Sequence, residues 1–323
     1  MKNLLGIPFI LFILLTGSSC QKEEASADDN PNNYTWTTFT TKNNLSSNEV
    51  YCVEVDNNGI IWVGTEYGIS RYNGSGWTKY STVHGLIYHS VNTLAVDQNN
   101  NIWAGTNVGV SKYNGNSWTS YTTLNGLVNN LVRDIAADND NHLWFATPSG
   151  VSEFTGTAWH TYKKSADTAL VNDQVRAVAV DHANNKWFGT EFGISRYNGS
   201  SWVTYISEVS IADYIFTIYI DSQQRIWFGT LAGIAMYDGS DWYEYVSADG
   251  LVYNEVRAIT EDKNGNMWFG TLYGLSKLSG NVFTNFTTDD GLPGDHITSL
   301  ATDASGNIWA GTRSGGVCRI TPK

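Results

Sequence analysis

Asp56-Asn57-Asn58-Gly59-Ile60-Ile61-Trp62-Val63-Gly64-Thr65 is one copy of a phrase that recurs along the 323-residue chain. Its tryptophan returns as Trp103, Trp144, Trp187, Trp227, Trp268 and Trp309, each opening Trp-x-Gly-Thr except that Ala146 replaces the glycine in the third copy. The intervals are 41, 41, 43, 40, 41 and 41 residues. A fixed period of about 40–45 residues is that of a four-stranded propeller blade. An aspartate precedes every tryptophan by six residues: Asp56, Asp97, Asp138, Asp181, Asp221, Asp262 and Asp303.

Working outward, each repeat supplies four strands. A β-branched run such as residues 50–55 precedes the aspartate. The Asx-Gly turn that follows suits a hairpin, because an Asx side chain bonds the backbone two residues on and Gly or Asn tolerates positive φ. Six residues after each tryptophan stands a glycine (Gly68, Gly109, Gly150, Gly193, Gly233, Gly274 and Gly315), which predicts the turn into a third strand. Asn73-Gly74, repeated as Asn114-Gly115, Asn198-Gly199 and Asp238-Gly239, predicts a two-residue hairpin turn. A second aromatic (Trp77, Trp118, Trp159, Trp202, Trp242 and Phe283) opens the fourth strand.

The seventh repeat ends at Lys323, before its second aromatic. Counting back 41 residues from Trp77 gives Trp36, and Trp36-Thr37-Thr38-Phe39 matches the spacing of Trp77-Thr78-Lys79-Tyr80. The expected fold is therefore all-β: a seven-bladed β-propeller with four antiparallel strands per blade, closed by an N-terminal strand that completes the C-terminal blade and removes two open edges. The repeated aromatics are expected to pack between blades. The repeated aspartates lack the bidentate acidic residue a calcium loop requires, so no metal or other cofactor is expected there.

Met1-Lys2, the apolar residues 4–15 and the small residues 16–19 read as a signal peptide rather than a membrane span. Cys20 follows directly, which resembles the lipobox of bacterial lipoproteins and makes Cys20 the expected lipidated residue, although Gly17 stands where leucine is commonest. Gln21-Lys22-Glu23-Glu24 resembles the signal that directs some lipoproteins to the outer face of the outer membrane. Residues 1–19 are thus expected to be a leader, residues 20–33 the anchored cysteine and a flexible tether, and residues 34–323 the propeller. The expected location is the outer membrane, surface-exposed or otherwise on the periplasmic face.

The whole chain carries a net charge of −12, and −13 once Lys2 is lost with the leader. Such a surface repels nucleic acid, and a monomer is expected. Beyond Cys20 only Cys52 and Cys318 remain, too few for a disulfide framework or a zinc site.

The repeat, seen at Asn101-Ile102-Trp103-Ala104-Gly105-Thr106 and Gly109-Val110-Ser111-Lys112-Tyr113, resembles the two-component regulator propeller repeat over nearly all of residues 34–323. In that family paired propellers form the periplasmic sensor half of hybrid histidine kinases, some of which recognise breakdown products of polysaccharides. This chain shows one propeller and no kinase or regulator domain, so the resemblance implies a ring that binds a ligand or partner, not direct signalling.

In a repeat protein the shared positions hold the fold, and candidate function lies where the repeats differ on one face. The start of the inner strand reads Tyr51, Asn92, Arg133, Arg176, Phe216, Arg257 and Thr298, preceded by Glu49, Ser90, Leu131, Gln174, Tyr214, Glu255 and His296. The loop after the second strand varies too, giving Glu66, Tyr67, Glu191, Phe192, Tyr273 and Arg313. Guanidinium forks, carboxylates and aromatic faces suit either sugar hydroxyls and rings or an anionic ligand. Solvated ion pairs at a rim are the plainer alternative. Residues 163–173 and 206–213, the latter carrying Ile211 and followed by Tyr214, break the Gly-Leu pattern of the other connections, a departure that often marks the functional sector of a repeat protein.

Streptogramin lyases are seven-bladed propellers that use a histidine base with a metal ion, so a metal-dependent lyase is the enzymatic alternative. His89 and His296, just ahead of inner strands, could meet Glu49 or Glu255 as base and acid. No nucleophile elbow, phosphate-binding loop or dinucleotide fingerprint occurs. An envelope scaffold, the third class, would need a broad apolar patch, and the sequence displays none.

Overall fold

The computed structural model describes residues 33–165, 170–205 and 213–323. The expected leader, Cys20, the tether up to residue 32 and Ile211 lie outside them. Seven four-stranded antiparallel sheets form the ring. Their inner strands are Val50–Val55, Val91–Val96, Asp134–Ala137, Val175–Val180, Ile215–Ile220, Val256–Glu261 and Ile297–Thr302, defining blades one to seven. The second strands are buried along their whole length, the first being Ile61–Thr65.

One hydrogen bond recurs in every blade. The Trp62 indole N–H donates to Asp56 Oδ2 at 3.0 Å, while Asp56 Oδ1 accepts from the backbone of Asn58 and Ile60 at 2.9 and 3.0 Å. The other six tryptophans donate to their aspartates at 2.8–3.0 Å. Both carboxylate oxygens are thereby engaged, which is the structural role of these aspartates.

A cation lies over each of the seven indoles. Arg71, Lys112, Arg196, Lys277 and Arg319 supply it from the third strand of their own blade. Blades three and five carry Glu153 and Met236 there. Lys186 of blade four covers Trp144 at 5.3 Å and bonds Asp138 at 3.0 Å, while Arg225 covers Trp227 at 5.1 Å. Glu153 is accommodated by His142 Nδ1 at 2.9 Å and the Tyr162 hydroxyl at 2.8 Å.

The core lies between blades. Trp62 of blade one packs with Leu94, Ile102 and Ala104 of blade two, and equivalent clusters fill the other interfaces. The glycine of Trp-x-Gly-Thr admits the neighbouring inner strand: a Cβ on Gly189 would stand 2.4 Å from Ile215 Cγ2. Cys52 and Cys318 are buried free thiols in separate clusters.

The N-terminal strand Tyr34–Phe39 pairs antiparallel with Val317–Pro322, placing Trp36 opposite Ile320. Trp77 stands opposite Tyr72 in blade one, so the closing strand takes the fourth-strand position of blade seven. Its aromatics complete the interface, with Trp36 5.7 Å from Phe286 and Phe39 stacked 5.7 Å from Trp309.

Two turns differ from the sequence reading. The third-to-fourth connection is a four-residue loop, since Tyr72 pairs with Trp77. Only Gly74 takes positive φ, and the Asn73 side chain caps the loop by accepting from the Ser75 and Gly76 N–H groups at 3.1 and 3.0 Å. In blade seven the turn glycine is Gly316, not Gly315. It has a φ of +87° and its carbonyl accepts from Thr312 Oγ1 at 2.8 Å, one residue later than in the other blades, where Thr65 bonds Gly68.

Two inner-strand carboxylates lie deep in the ring. Asp134 accepts from Thr93 Oγ1 of blade two at 3.1 Å, from its neighbour Ile135 N–H at 2.9 Å and from Val178 N–H of blade four at 2.9 Å. Burial pushes Asp134 up to about 6. Glu54 is pushed up to about 7, first by burial, against a bond from Val55 N–H and with the Asp134 charge adding to it.

A carboxyl whose folded value exceeds its unfolded value of about 4 favours folding most below that value, and the benefit is lost as pH rises through the folded value. Glu54→Gln, which cannot ionise, is therefore expected to melt above the wild type at about pH 8, with the gain shrinking toward about pH 5. A gain independent of pH in thermal melts would mean that Glu54 ionises normally. Trp36→Gly removes the aromatic that joins the closing strand to blade six and is expected to cost about 3 kcal/mol, lowering the melting temperature by several degrees. An unchanged melting temperature would contradict the closure.

Candidate ligand-binding mouth

Among the described residues, the strand directions put the first-strand starts, the second-to-third loops and the fourth-to-first connections on one face. A bulge lies just after the first paired residue of most inner strands, between Val50 and Cys52 in blade one. The residue at the bulge is the one that differs from blade to blade. Tyr51, Asn92, Arg133, Arg176, Phe216, Arg257 and Thr298 all line a single bowl of about 500 Å³, joined by Ser90, Leu131 and His296 from the preceding positions and by Asn107 and Arg313 from the loops.

The bowl has two unlike walls. Across blades three to six it is cationic and aromatic. Glu191 Oε1 holds both Arg176, at 2.9 Å, and Arg133, at 3.6 Å. Arg133 also donates to Gln174 Oε1 at 3.1 Å. Arg176 packs 4.0 Å from the Tyr214 ring centre and bonds its hydroxyl, and Phe216 lies between Arg176 and Arg257 at 5.7 and 4.6 Å. Arg257 is paired with Glu255. Because two guanidiniums share the one Glu191 carboxylate, this wall keeps an excess positive charge. Burial first, then the Arg176 charge, lowers the Arg133 pKa, and Glu191 partly offsets both.

The opposite wall, from blade seven to blade two, is polar and neutral at its surface. Asn92 Nδ2 donates to Asn107 Oδ1 at 2.8 Å and to the Val132 carbonyl at 3.0 Å. The Tyr51 hydroxyl donates to Glu49 Oε1 at 2.9 Å, and Arg313 reaches the same oxygen at 2.8 Å while lying over the Tyr51 ring. Burial and the Glu49 bond raise the Tyr51 pKa. His296 is depressed by burial and then by Arg257 and Arg313, against the pull of Glu255, so it is neutral at pH 7.

Tyr214 takes a left-handed φ of +61°. That conformation is strained for a bulky side chain and is held only where the surroundings impose it. Here its ring and hydroxyl engage Arg176 and its edge meets Phe216 at 5.1 Å.

Other sequence candidates sit outside the bowl. Tyr67, Phe192 and Tyr273 stand on the surrounding rim, 59%, 59% and 57% exposed. The Glu66 carbonyl accepts from His89 Nδ1 at 2.8 Å, and the His89 ring stacks on Tyr67. His89 is thus engaged at the rim, and of the pairings expected with Glu49 or Glu255 the structure brings His296 within electrostatic reach of Glu255. Among the described residues no group of three His, Cys, Asp or Glu could hold a metal ion. Ser90, Asn92, Leu131 and Thr298, which the repeat register places at these heights, line the bowl beside the arginines, and Asn107 of a second-to-third loop joins them.

The chain is similar to several solved propellers. The extracellular domain of BT3049, assigned as a hybrid two component system of B. thetaiotaomicron, superposes with a TM-score of 0.79 at 26% identity, covering 90% of this chain and 41% of that one. The extracellular domain of BT4673 from the same organism gives 0.71 at 19%, covering 88% and 39%. This chain thus spans about two fifths of those extracellular domains. Virginiamycin B lyase from Staphylococcus aureus gives 0.72 at 14%, covering 89% and 98%, a likeness of fold alone. No curated protein sequence matches. Among the described residues no helix is long and apolar enough to cross a membrane. The two component regulator propeller family matches residues 44–67, 85–108, 126–149, 210–232, 250–273 and 291–314, six of the seven repeats. With the fold and register described above, the chain belongs to the two component regulator propeller family.

Proposed function

We propose that this protein is a non-catalytic binding propeller of the cell surface or periplasm, anchored to the outer membrane through Cys20, which captures a small polar ligand such as a glycan, or a protein partner, at the mouth of its channel. The observation carrying this reading is the convergence of the seven non-repeating inner-strand residues on one bowl. Positions that hold the fold repeat; these do not, and they combine donors, aromatic faces and excess positive charge, as sites for polar or anionic ligands do. The similarity to extracellular domains fits a location outside the cytoplasm. The acidic surface excludes nucleic acid, and the protein acts as a monomer.

A metal-dependent lyase is the second reading, favoured by one observation: neutral His296 lines the bowl within electrostatic reach of Glu255. The separation of His89 from that pair weighs against it.

The test is a thermal-shift and glycan-array screen, repeated with EDTA and with magnesium. A ligand-dependent shift insensitive to EDTA is expected. The Arg133→Ala/Arg176→Ala/Arg257→Ala variant should lose that shift while its own melting temperature changes by no more than a few degrees, since these side chains line the open bowl, 20–36% exposed, outside the apolar clusters between blades. Unchanged affinity in the variant sinks the bowl as the binding site. A response appearing only with metal, and lost in His296→Ala, moves the assignment to the lyase.

A further inference from the structure

The mouth face carries a second feature that a small ligand cannot use. Tyr67, Val108, Phe192, Leu231, Tyr253 and Tyr273 are exposed between 37% and 59%, and all belong to loops of this face. None of them lines the bowl. Val83 and Leu124, 87% and 96% exposed, stand on the short turns Thr82–His84 and Thr123–Asn125 of the same face, nearer the outer strands. Among the described residues only two other large exposed apolar side chains occur, Val203 and Tyr243, both on outer strands. The apolar surface is thus gathered around the arginines, as in a recognition surface with aromatic anchors.

We infer that the mouth face docks a polypeptide of another protein, through an acidic side chain or terminal carboxylate seated between Arg133 and Arg176, with aromatic or aliphatic neighbours resting on the Tyr67–Phe192–Tyr273 crown. This inference rests on the reading of the mouth as a binding site and names its partner. Three observations lead to it. A molecule confined to about 500 Å³ leaves the crown uncovered, whereas an extended peptide spans bowl and rim together. The shared Glu191 leaves the bowl wall one positive charge in excess, complementary to an anion, on a chain whose net charge is −12. A second copy seated face to face would oppose four bowl arginines to four, so self-association through this face is disfavoured.

The experiment is to pan a phage library of randomised 12-residue peptides on the full chain. Sequences placing Asp or Glu beside Phe, Tyr or Leu are expected. As free peptides these should lose about tenfold in affinity against Arg133→Met/Arg176→Met, and a comparable factor against Tyr67→Ser/Tyr273→Ser, whose exposed positions leave folding unaffected.

Peptides lacking acidic residues, peptides indifferent to either variant, or no enrichment at all overturn the inference. If no peptide is enriched while a small ligand still gives an arginine-dependent thermal shift, the mouth remains a binding site and only the polypeptide partner falls. If neither peptides nor small ligands respond to the arginine variant, both readings fall.

Discussion

Everything in this ring depends on the bond between an indole N–H and a carboxylate six residues earlier. An indole nitrogen is a donor only and is costly to bury unpaired. The aspartate meets it from a turn, and the same carboxylate shapes that turn through two backbone N–H groups. One side chain therefore sets the hairpin, orients the largest core residue and fixes the depth at which the second strand lies. The cation above each indole completes the unit. Its supplier changes from the third strand to Lys186 of the next blade or to Arg225 two residues before its tryptophan, while its presence does not. The constraint is on the arrangement, not on the residue that provides it.

Most of the fold is legible because the period is short and the punctuation strong. Asp, Trp, Gly-Thr and the second aromatic each occupy a position only one architecture uses, and Trp36 could be assigned to blade seven by register alone. What could not be read depends on small local energies. Asn73-Gly74 has the composition of a two-residue turn, yet the Asn73 side chain gains two bonds by capping a longer loop. Gly315-Gly316 offers two candidates for one left-handed position, and no spacing argument separates them. The exchange of Glu153 for a cation looks like a lost interaction until Lys186 is seen reaching across the blade interface.

The mouth was legible in place but not in arrangement. Repeat register identifies which residues encircle it, since equivalent positions must fall at equivalent heights. It does not reveal that Glu191 joins arginines of two blades, that Glu49 serves Tyr51 and Arg313 together, or that His89 turns outward onto Tyr67. Those choices follow from side-chain reach and pairing among chemically similar options. The same reasoning explains why a broad apolar surface was not anticipated: each exposed aromatic is isolated in sequence, and only closure of the ring gathers them on one face.

Closure also imposes an order in time. Tyr34 pairs with Pro322, so the first strand of the propeller finds its partner only once residues 317–322 have been synthesised. Until then the blades form an open arc, with one face of blade one and the inner strands of blade seven unsupported. Joining ends nearly 290 residues apart would cost an unfolded chain roughly 5 kcal/mol in loop entropy, but an arc of folded blades already holds them near each other. Assembly of the earlier blades is thereby coupled to the closing step, and the ring stays unfinished, and vulnerable, until the strand Val317–Pro322 arrives.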